Sequence, residues 1–347
     1  MSRPRDMVEY QVGNIIAELL KLEPERINHD TDFFASGGNS FLAGALIGRI
    51  ERALGAQVSL KEILSKSTVA EIAVNCRRAI GAENREDLLF DLGDEPAGNT
   101  QNVFFVHGRS GEVYFLQPAI SLARKTRRSF PVVAIRSRGL DGKHEPLQTI
   151  EQMADLYAAK IVQHQPQGPY TLAGFCLGGM IAWAVAQRLI TRGSEVRELL
   201  LFDTVPSDQA LQASEKSLLV DGTHPLLERL AKTHLSHSET TFGVSTWADI
   251  VAEFHEHSLL PLDVTPAHFQ RRMQVTGRNL VAFLDYRPSK VDTKIRAVFG
   301  SSVDDQDRSA ATSTYRGLSR AADFQTVDSE HGEFFASEAV FKMLSKN

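Results

Sequence analysis

The sequence predicts a small all-α bundle over residues 1–80, an acidic flexible linker over 81–100 and a larger α/β domain over 101–347. Three observations carry this reading: where the charge lies, the period of the apolar residues, and the alternation of short apolar runs with helical stretches. The chain has 347 residues and a formal net charge of −5. Residues 1–80 hold ten basic and ten acidic side chains and residues 101–347 hold 27 of each, so the imbalance lies between them. Residues 81–100 carry one Arg against six Asp or Glu, together with Gly81, Gly93, Gly98 and Pro96. Such sequence packs poorly and tends to stay extended. The competing reading is an acidic surface loop within one domain.

The same numbers exclude several classes. A balance so close to neutral does not suggest a nucleic-acid partner. No apolar run approaches the ~20 residues of a membrane helix, and residues 1–6 contain no apolar leader. Both point to a cytoplasmic protein with no membrane partner. The two cysteines, Cys76 and Cys176, make neither a disulfide framework nor a Cys-rich zinc site.

Within residues 1–80, Val8, Val12, Ile15, Ile16, Leu19 and Leu20 recur at helical spacing. Leu42, Leu46, Ile50 and Leu54 give a second helix closed by Gly55, and Val69, Ile72, Ala73, Cys76 and Ile80 give a last one. Cys76 falls on the apolar face and reads as a buried structural thiol. The loop before the second helix ends Asp32-Phe33-Phe34-Ala35-Ser36-Gly37-Gly38-Asn39-Ser40. Two glycines allow a sharp turn, and Ser40 stands at a helix start, where free N–H groups favour a phosphate. Taken alone, Ser40 reads more simply as a helix cap.

Within residues 101–347, Val103–Val106, Val132–Ile135, Tyr170–Phe175 and Leu199–Phe202 read as buried strands. Helices are expected over residues 112–125, 150–163 and 177–192. Their alternation predicts a mostly parallel sheet with helices on both faces. The sharpest motif is Gly174-Phe175-Cys176-Leu177-Gly178, running from strand to helix. It has the form of the nucleophile elbow Gly-x-Ser-x-Gly with cysteine in the serine position. A thiol at a helix N-terminus is expected to ionise more readily than usual.

Such a nucleophile needs a base and an orienting acid. His331, in Ser329-Glu330-His331-Gly332 after the last strand signal, is the candidate base, and His107 at the end of the first strand is its rival. His234, His237, His255 and His257 read as surface residues. For the acid, Asp203 ends the Leu199–Phe202 strand, and Asp304 with Asp305 follows a strand over 295–300. Local sequence does not choose between them.

Two resemblances add to this. Asp-x-Phe-Phe-x-x-Gly-Gly-Asn-Ser before an apolar helix resembles the attachment site of a peptidyl carrier domain of non-ribosomal peptide synthetases. That resemblance implies 4′-phosphopantetheine covalently on Ser40, added by a phosphopantetheinyl transferase, with an acyl or peptidyl chain held as its thioester. Residues 101–347 resemble the α/β-hydrolase thioesterases that terminate such assembly lines. The matching stretches are Val106-His107-Gly108-x-x-Gly111, Gln165-Pro166-x-Gly168-Pro169-Tyr170, the elbow, Phe202-Asp203 and Glu330-His331-Gly332. The resemblance implies a catalytic set of Cys176, Asp203 and His331, with the backbone N–H groups of Arg109 and Leu177 as the oxyanion hole. It also implies a helical lid over about 206–286, upstream synthetase domains as partners, and no metal.

The cysteine departs from the serine usual in that family. A thioester acyl-enzyme keeps the activation of its substrate, which suits capture by an amine or a hydroxyl of the chain itself as well as hydrolysis. The alternative origin of Cys176 is exchange of the family's serine to slow turnover. Alternative functions are a non-catalytic carrier and docking module and an editing thioesterase. A basic run, Arg124, Lys125, Arg127 and Arg128, reads as a solvated face, or more weakly as a contact for the linker or the arm's phosphate.

Overall fold

A computed structural model describes residues 6–82, 88–92, 102–126, 128–129, 131–207, 212–221, 246–256 and 265–345. The chain divides into two compact units, Met1–Asp87 with Arg229–Gln270, and Leu88–Glu228 with Arg271–Asn347.

In the first unit, helices α1 (Met7–Leu20), α2 (Ser40–Leu54), α3 (Leu60–Ser65) and α4 (Val69–Ala82) form the bundle. Val12, Ile16, Phe33, Leu46, Ile50, Ile63, Ile72 and Cys76 are fully buried in its core. The predicted apolar stripes are therefore the faces that pack, and each fully buried Leu or Ile contributes about 1.5–3 kcal/mol. Burial pushes the Cys76 thiol up to about 12, as expected of an inert core cysteine. The short helix α3, started by a Ser59–Glu62 capping box, was not among the sequence expectations. Helix α9 (Trp247–Glu256), from the predicted lid, belongs to this unit; Phe254 meets Phe269 edge-on at 5.9 Å.

The second unit contains a seven-stranded sheet among the described residues, in the order β1-β3-β2-β4-β5-β6-β7. Its strands are β1 (Leu89–Asp91), β2 (Val103–Val106), β3 (Val132–Ile135), β4 (Tyr170–Phe175), β5 (Val196–Phe202), β6 (Val291–Phe299) and β7 (Ser319–Thr326). All neighbours pair parallel except β1 with β3. Strands β2, β3 and β4 are buried along their whole length, the pattern of a parallel sheet covered on both faces.

Two expectations are corrected here. Leu89–Asp91, placed in the linker, is an edge strand, because Leu88, Phe90 and Leu92 bury their side chains and Arg136 stacks over Phe90 at 5.3 Å. The helix expected over 112–125 begins later: a short 3₁₀ turn at Tyr114–Leu116 precedes α5 (Gln117–Thr126).

Helices α6 (Ile150–His164), α7 (Leu177–Thr191), α8 (Ala213–Val220), α10 (Pro266–Asp285), α11 (Asp305–Leu318) and α12 (Glu338–Leu344) complete the described elements. The C-terminal half of α10 packs on the sheet core through Leu280, Ala282 and Phe283. Leu226, Leu227 and Leu230 of the predicted lid lie outside the described residues. Strand order reverses beside β2, with β3 on one side and β4 on the other. A crevice opens at the carboxyl ends of strands at such a point.

Candidate active site

The parallel strands deliver the predicted residues to one edge of the sheet. His107 is the first residue after β2, Cys176 after β4, Asp203 after β5 and Gly300 after β6, and His331 follows β7.

Cys176 sits between β4 and α7 with φ 56° and ψ −129°, a backbone conformation that costs a non-glycine residue free energy. It is held there from both sides. The Cys176 N–H donates to the Phe202 carbonyl at 2.9 Å, and the Thr204 hydroxyl donates to the Cys176 carbonyl at 3.0 Å. The surrounding glycines are sterically required. A Cβ on Gly174 would lie 2.2 Å from the Gly178 carbonyl oxygen, and one on Gly178 would lie 2.2 Å from the His107 carbonyl oxygen. Gly179 is confined in the same way by Thr204.

His331 joins the cysteine to the acid. Its Nδ1 lies 2.5 Å from Asp203 Oδ2, and its ring is near enough to the Cys176 thiol for each group to shift the other's ionisation. Asp203 is buried and accepts a second hydrogen bond from the Gly300 N–H at 2.7 Å. Two features fix the imidazole in place. Its ring stacks on Phe175 at 4.4 Å, and the His331 backbone N–H donates to the Ser302 hydroxyl at 2.8 Å.

Burial opposes charge on His331, but its hydrogen bonds to Asp203 and Cys176 outweigh that and raise its pKa to about 9. Burial also opposes ionisation of Cys176. The hydrogen bond and charge of His331, the Leu177 N–H and the Arg109 guanidinium prevail, so its pKa falls below the ordinary thiol value. Thiolate and imidazolium each favour the other's charged form.

The loop after β2 carries Arg109 and is closely braced. The Gly111 N–H donates to the Gly108 carbonyl at 3.0 Å, and the Ser137 N–H donates to the Gly111 carbonyl at 2.8 Å. Asn279 Nδ2 donates to the Arg109 carbonyl at 3.1 Å. Leu177 opens α7, and its backbone N–H favours the ionised form of the neighbouring cysteine.

The rival candidates occupy other roles. His107 is fully buried; its Nδ1 lies 2.8 Å from the Gly108 carbonyl and its Nε2 2.9 Å from the Tyr157 hydroxyl. Desolvation lowers its pKa to about 4, so it stays neutral as a core residue. Asp304 caps α11 by accepting from the Asp307 N–H at 2.8 Å, and Asp305 pairs with Arg308. His255 lies on α9, whereas His234, His237 and His257 lie outside the described residues, as do Arg127 and the side chains of Arg124 and Lys125. No group of three or more metal-ligating side chains occurs among the described residues.

In the bundle, Asp32 explains the start of the carrier-like motif. Its carboxylate accepts from the Ala35 N–H at 2.8 Å and the Ser67 hydroxyl at 2.5 Å, which together hold it below the usual carboxylate range. Phe33 fills the core against Gly38, where a Cβ would lie 2.6 Å from its ring. Gly37 adopts φ +107°, a conformation glycine tolerates. Asn39 Oδ1 accepts from the Leu42 N–H at 3.0 Å, so Asn39 caps α2 and Ser40 occupies its first turn. The cap role open to Ser40 from sequence is thus filled by its neighbour. A phosphate borne at Ser40 fits this setting, since the start of a 15-residue helix carries the positive end of the helix dipole.

Sequence reasoning missed the supports: Thr204, Gly300, Ser302, Tyr157 and Asn279. Of these, Thr204 left a signal as the neighbour of Asp203, and Gly300 as the end of the strand expected over 295–300.

Comparison with known proteins agrees with both halves of this description. A family profile described as "Thioesterase domain" matches residues 103–347, and one described as "Phosphopantetheine attachment site" matches residues 11–73. The chain is 33% identical over 184 residues to enterobactin synthase component F of Escherichia coli (strain K12), covering 52% of this chain and 14% of that protein. It is 31% identical over 204 residues to a dimodular nonribosomal peptide synthase of Bacillus subtilis (strain 168), covering 59% and 8%. It thus spans only a small part of the length of these relatives. Among solved structures, a four-domain nonribosomal peptide synthetase bound to AMP and glycine superposes with a TM-score of 0.77 at 24% identity. That match covers 98% of this chain and 26% of the other, and it shows a shared fold.

Proposed function

The chain belongs to the thioesterase family and carries a phosphopantetheine attachment domain ahead of its hydrolase domain, and on that premise we propose that it ends an acyl assembly by taking the chain from a thioester onto Cys176 and releasing it. The observation that carries this reading is the contact of His331 Nδ1 with the buried Asp203 carboxylate at 2.5 Å, beside Cys176 on its strained strand-to-helix turn. In the same reading a carrier domain over about 1–80 precedes a thioesterase domain whose sheet begins with the edge strand Leu89–Asp91, and the segment 206–286 supplies the lid. Ser40 is the attachment residue, and a phosphopantetheinyl transferase and upstream synthetase domains are the partners. When bound, the pantetheine arm supplies the thiol to which the acyl chain is esterified.

The Cys176 thiolate attacks the thioester carbonyl carbon, forming a C–S bond and placing negative charge on the carbonyl oxygen. The N–H groups of Leu177 and Arg109 receive that charge, and donors held in place before reaction need no reorganisation. The old C–S bond then breaks, and the departing sulfur takes its proton from the His331 imidazolium. For release, neutral His331 accepts the proton of an incoming water, amine or hydroxyl as that group attacks the Cys176 thioester. Collapse returns the Cys176 thiolate and the His331 imidazolium. Asp203 keeps Nδ1 protonated throughout, which leaves Nε2 to exchange protons with the sulfur and the incoming group.

A cysteine thioester retains the free energy of the bond it replaces. Release by an amine or hydroxyl of the chain itself therefore stays downhill, and cyclisation or amine capture is the favoured outcome beside hydrolysis. The test is the mass of the product released from an acyl chain loaded on Ser40. No added mass identifies cyclisation, the added mass of an amine identifies capture, and added water identifies hydrolysis. Equal release by the parent and Cys176→Ala would reject the acyl-enzyme and leave a carrier and docking module.

A further inference from the structure

We propose that Asn279 is a positioning residue that holds the Arg109 loop in register for the oxyanion, an inference that rests on the acyl-enzyme reading above. Asn279 is 1% exposed and lies on α10, 76 residues after Asp203 and outside every motif the sequence displays. Its Nδ2 donates to the Arg109 carbonyl at 3.1 Å, and its Oδ1 accepts from the Ser137 hydroxyl at 3.4 Å. The Arg109 carbonyl can only accept, which sets the Nδ2 end of the amide toward it; the Ser137 hydroxyl lies equally close to the Arg138 carbonyl.

The remaining bonds of the loop show why that tether matters. Gly108 donates to the Glu112 carbonyl at 3.3 Å, Gly111 to Gly108, and Ser137 to Gly111. Arg109 sits at the tip of this closed turn, and Asn279 reaches its carbonyl from a separate helix. The helix is itself fixed beside the loop. Arg272, on α10, lies 3.5 Å from the buried carboxylate of Glu112, which Arg136 also binds at 2.5 Å. Val275 lies against Gly111, where a Cβ would come within 3.2 Å of its side chain. α10 therefore presents a single buried amide to the residue whose N–H is assigned to the oxyanion. A displacement of such a donor by an ångström is enough to cost about 100-fold in rate.

Two variants test this in the full chain. Asn279→Asp keeps the shape but turns an oxygen toward the Arg109 carbonyl, and Asn279→Ala removes the amide. Turnover of an acyl-N-acetylcysteamine thioester is compared with alkylation of Cys176 by iodoacetamide, which needs the thiolate but forms no oxyanion. The expected result is a fall in kcat of about 10–100-fold for both variants, with KM and the alkylation rate within about twofold of the parent. An unchanged kcat would overturn the tether, as would an alkylation rate that falls in step with kcat, the mark of a general structural role. If the parent still turns over after alkylation at Cys176, the acyl-enzyme reading itself fails and takes this inference with it.

Discussion

His331 and Asp203 stand 128 residues apart in the chain, yet Nδ1 and Oδ2 meet at 2.5 Å. The acid is buried and bonded by Gly300, whereas the imidazole is half-buried and is held charged with help from the Cys176 thiolate. An anion in a closed setting thus holds a cation beside the sulfur.

That arrangement sets the pH profile. Cys176 ionises below the usual thiol range, so kcat/KM and iodoacetamide alkylation should both reach their plateau at lower pH than a free thiol would. On the alkaline side kcat/KM should fall as His331 loses its proton at about 9. In Cys176→Ser the thiolate partner is gone, and the His331 pKa measured by NMR should drop. The sign for stability follows. A histidine raised above its ordinary 6.5 contributes fully below that value and loses its contribution as pH rises through about 9.

The choice of acid is tested by paired variants. Asp203→Asn keeps the shape but removes the charge that supports the imidazolium, and kcat should fall about 10²–10⁴-fold. Asp304→Ala should leave kcat unchanged and lower stability by about 0.5–2 kcal/mol, the cost of a lost helix cap. A large kcat loss on changing Asp304 would reverse the assignment.

Steric closure at the elbow predicts an asymmetry between glycines. Gly178→Ala drives a methyl into the His107 carbonyl and should destabilise the fold by at least about 1–3 kcal/mol in chemical denaturation. Gly317, in α11, has nothing within 4 Å of a built Cβ, and Gly317→Ala should stabilise by about 0.5–1 kcal/mol.

In the bundle, helix capping and modification should separate. Ser40→Ala should abolish the mass gain on incubation with coenzyme A and a phosphopantetheinyl transferase while leaving the thermal midpoint near the parent's. Asn39→Ala should lower stability by about 1 kcal/mol, because the cap of α2 is lost.

How legible all this was from sequence depended on which interactions are local. Strands β2, β3 and β4 match the predicted runs residue for residue, since a strand covered on both faces is apolar along nearly all its length. Strand β7, Ser-Arg-Ala-Ala-Asp-Phe-Gln-Thr, lies at the sheet edge and stays largely exposed, so it carries no comparable pattern. β1 was hidden inside an acidic stretch because three residues suffice when one partner strand fixes them. Cys176 and its glycines were legible because the elbow's steric demands fall within five residues. Asp203, Asp304 and Asp305 looked alike because each follows a strand, and the distinction is tertiary: one turns inward to His331, and the others cap or pair on α11. Asn279 left no trace, since its partner is 170 residues away.

The most direct test of the central claim is the intact mass of the protein, quenched within milliseconds of mixing with an acyl thioester, followed by peptide mapping. The account predicts a transient acyl adduct on Cys176 in the parent and none there in Cys176→Ala. Turnover without any adduct on Cys176, or with an unchanged rate in Cys176→Ala, would contradict it.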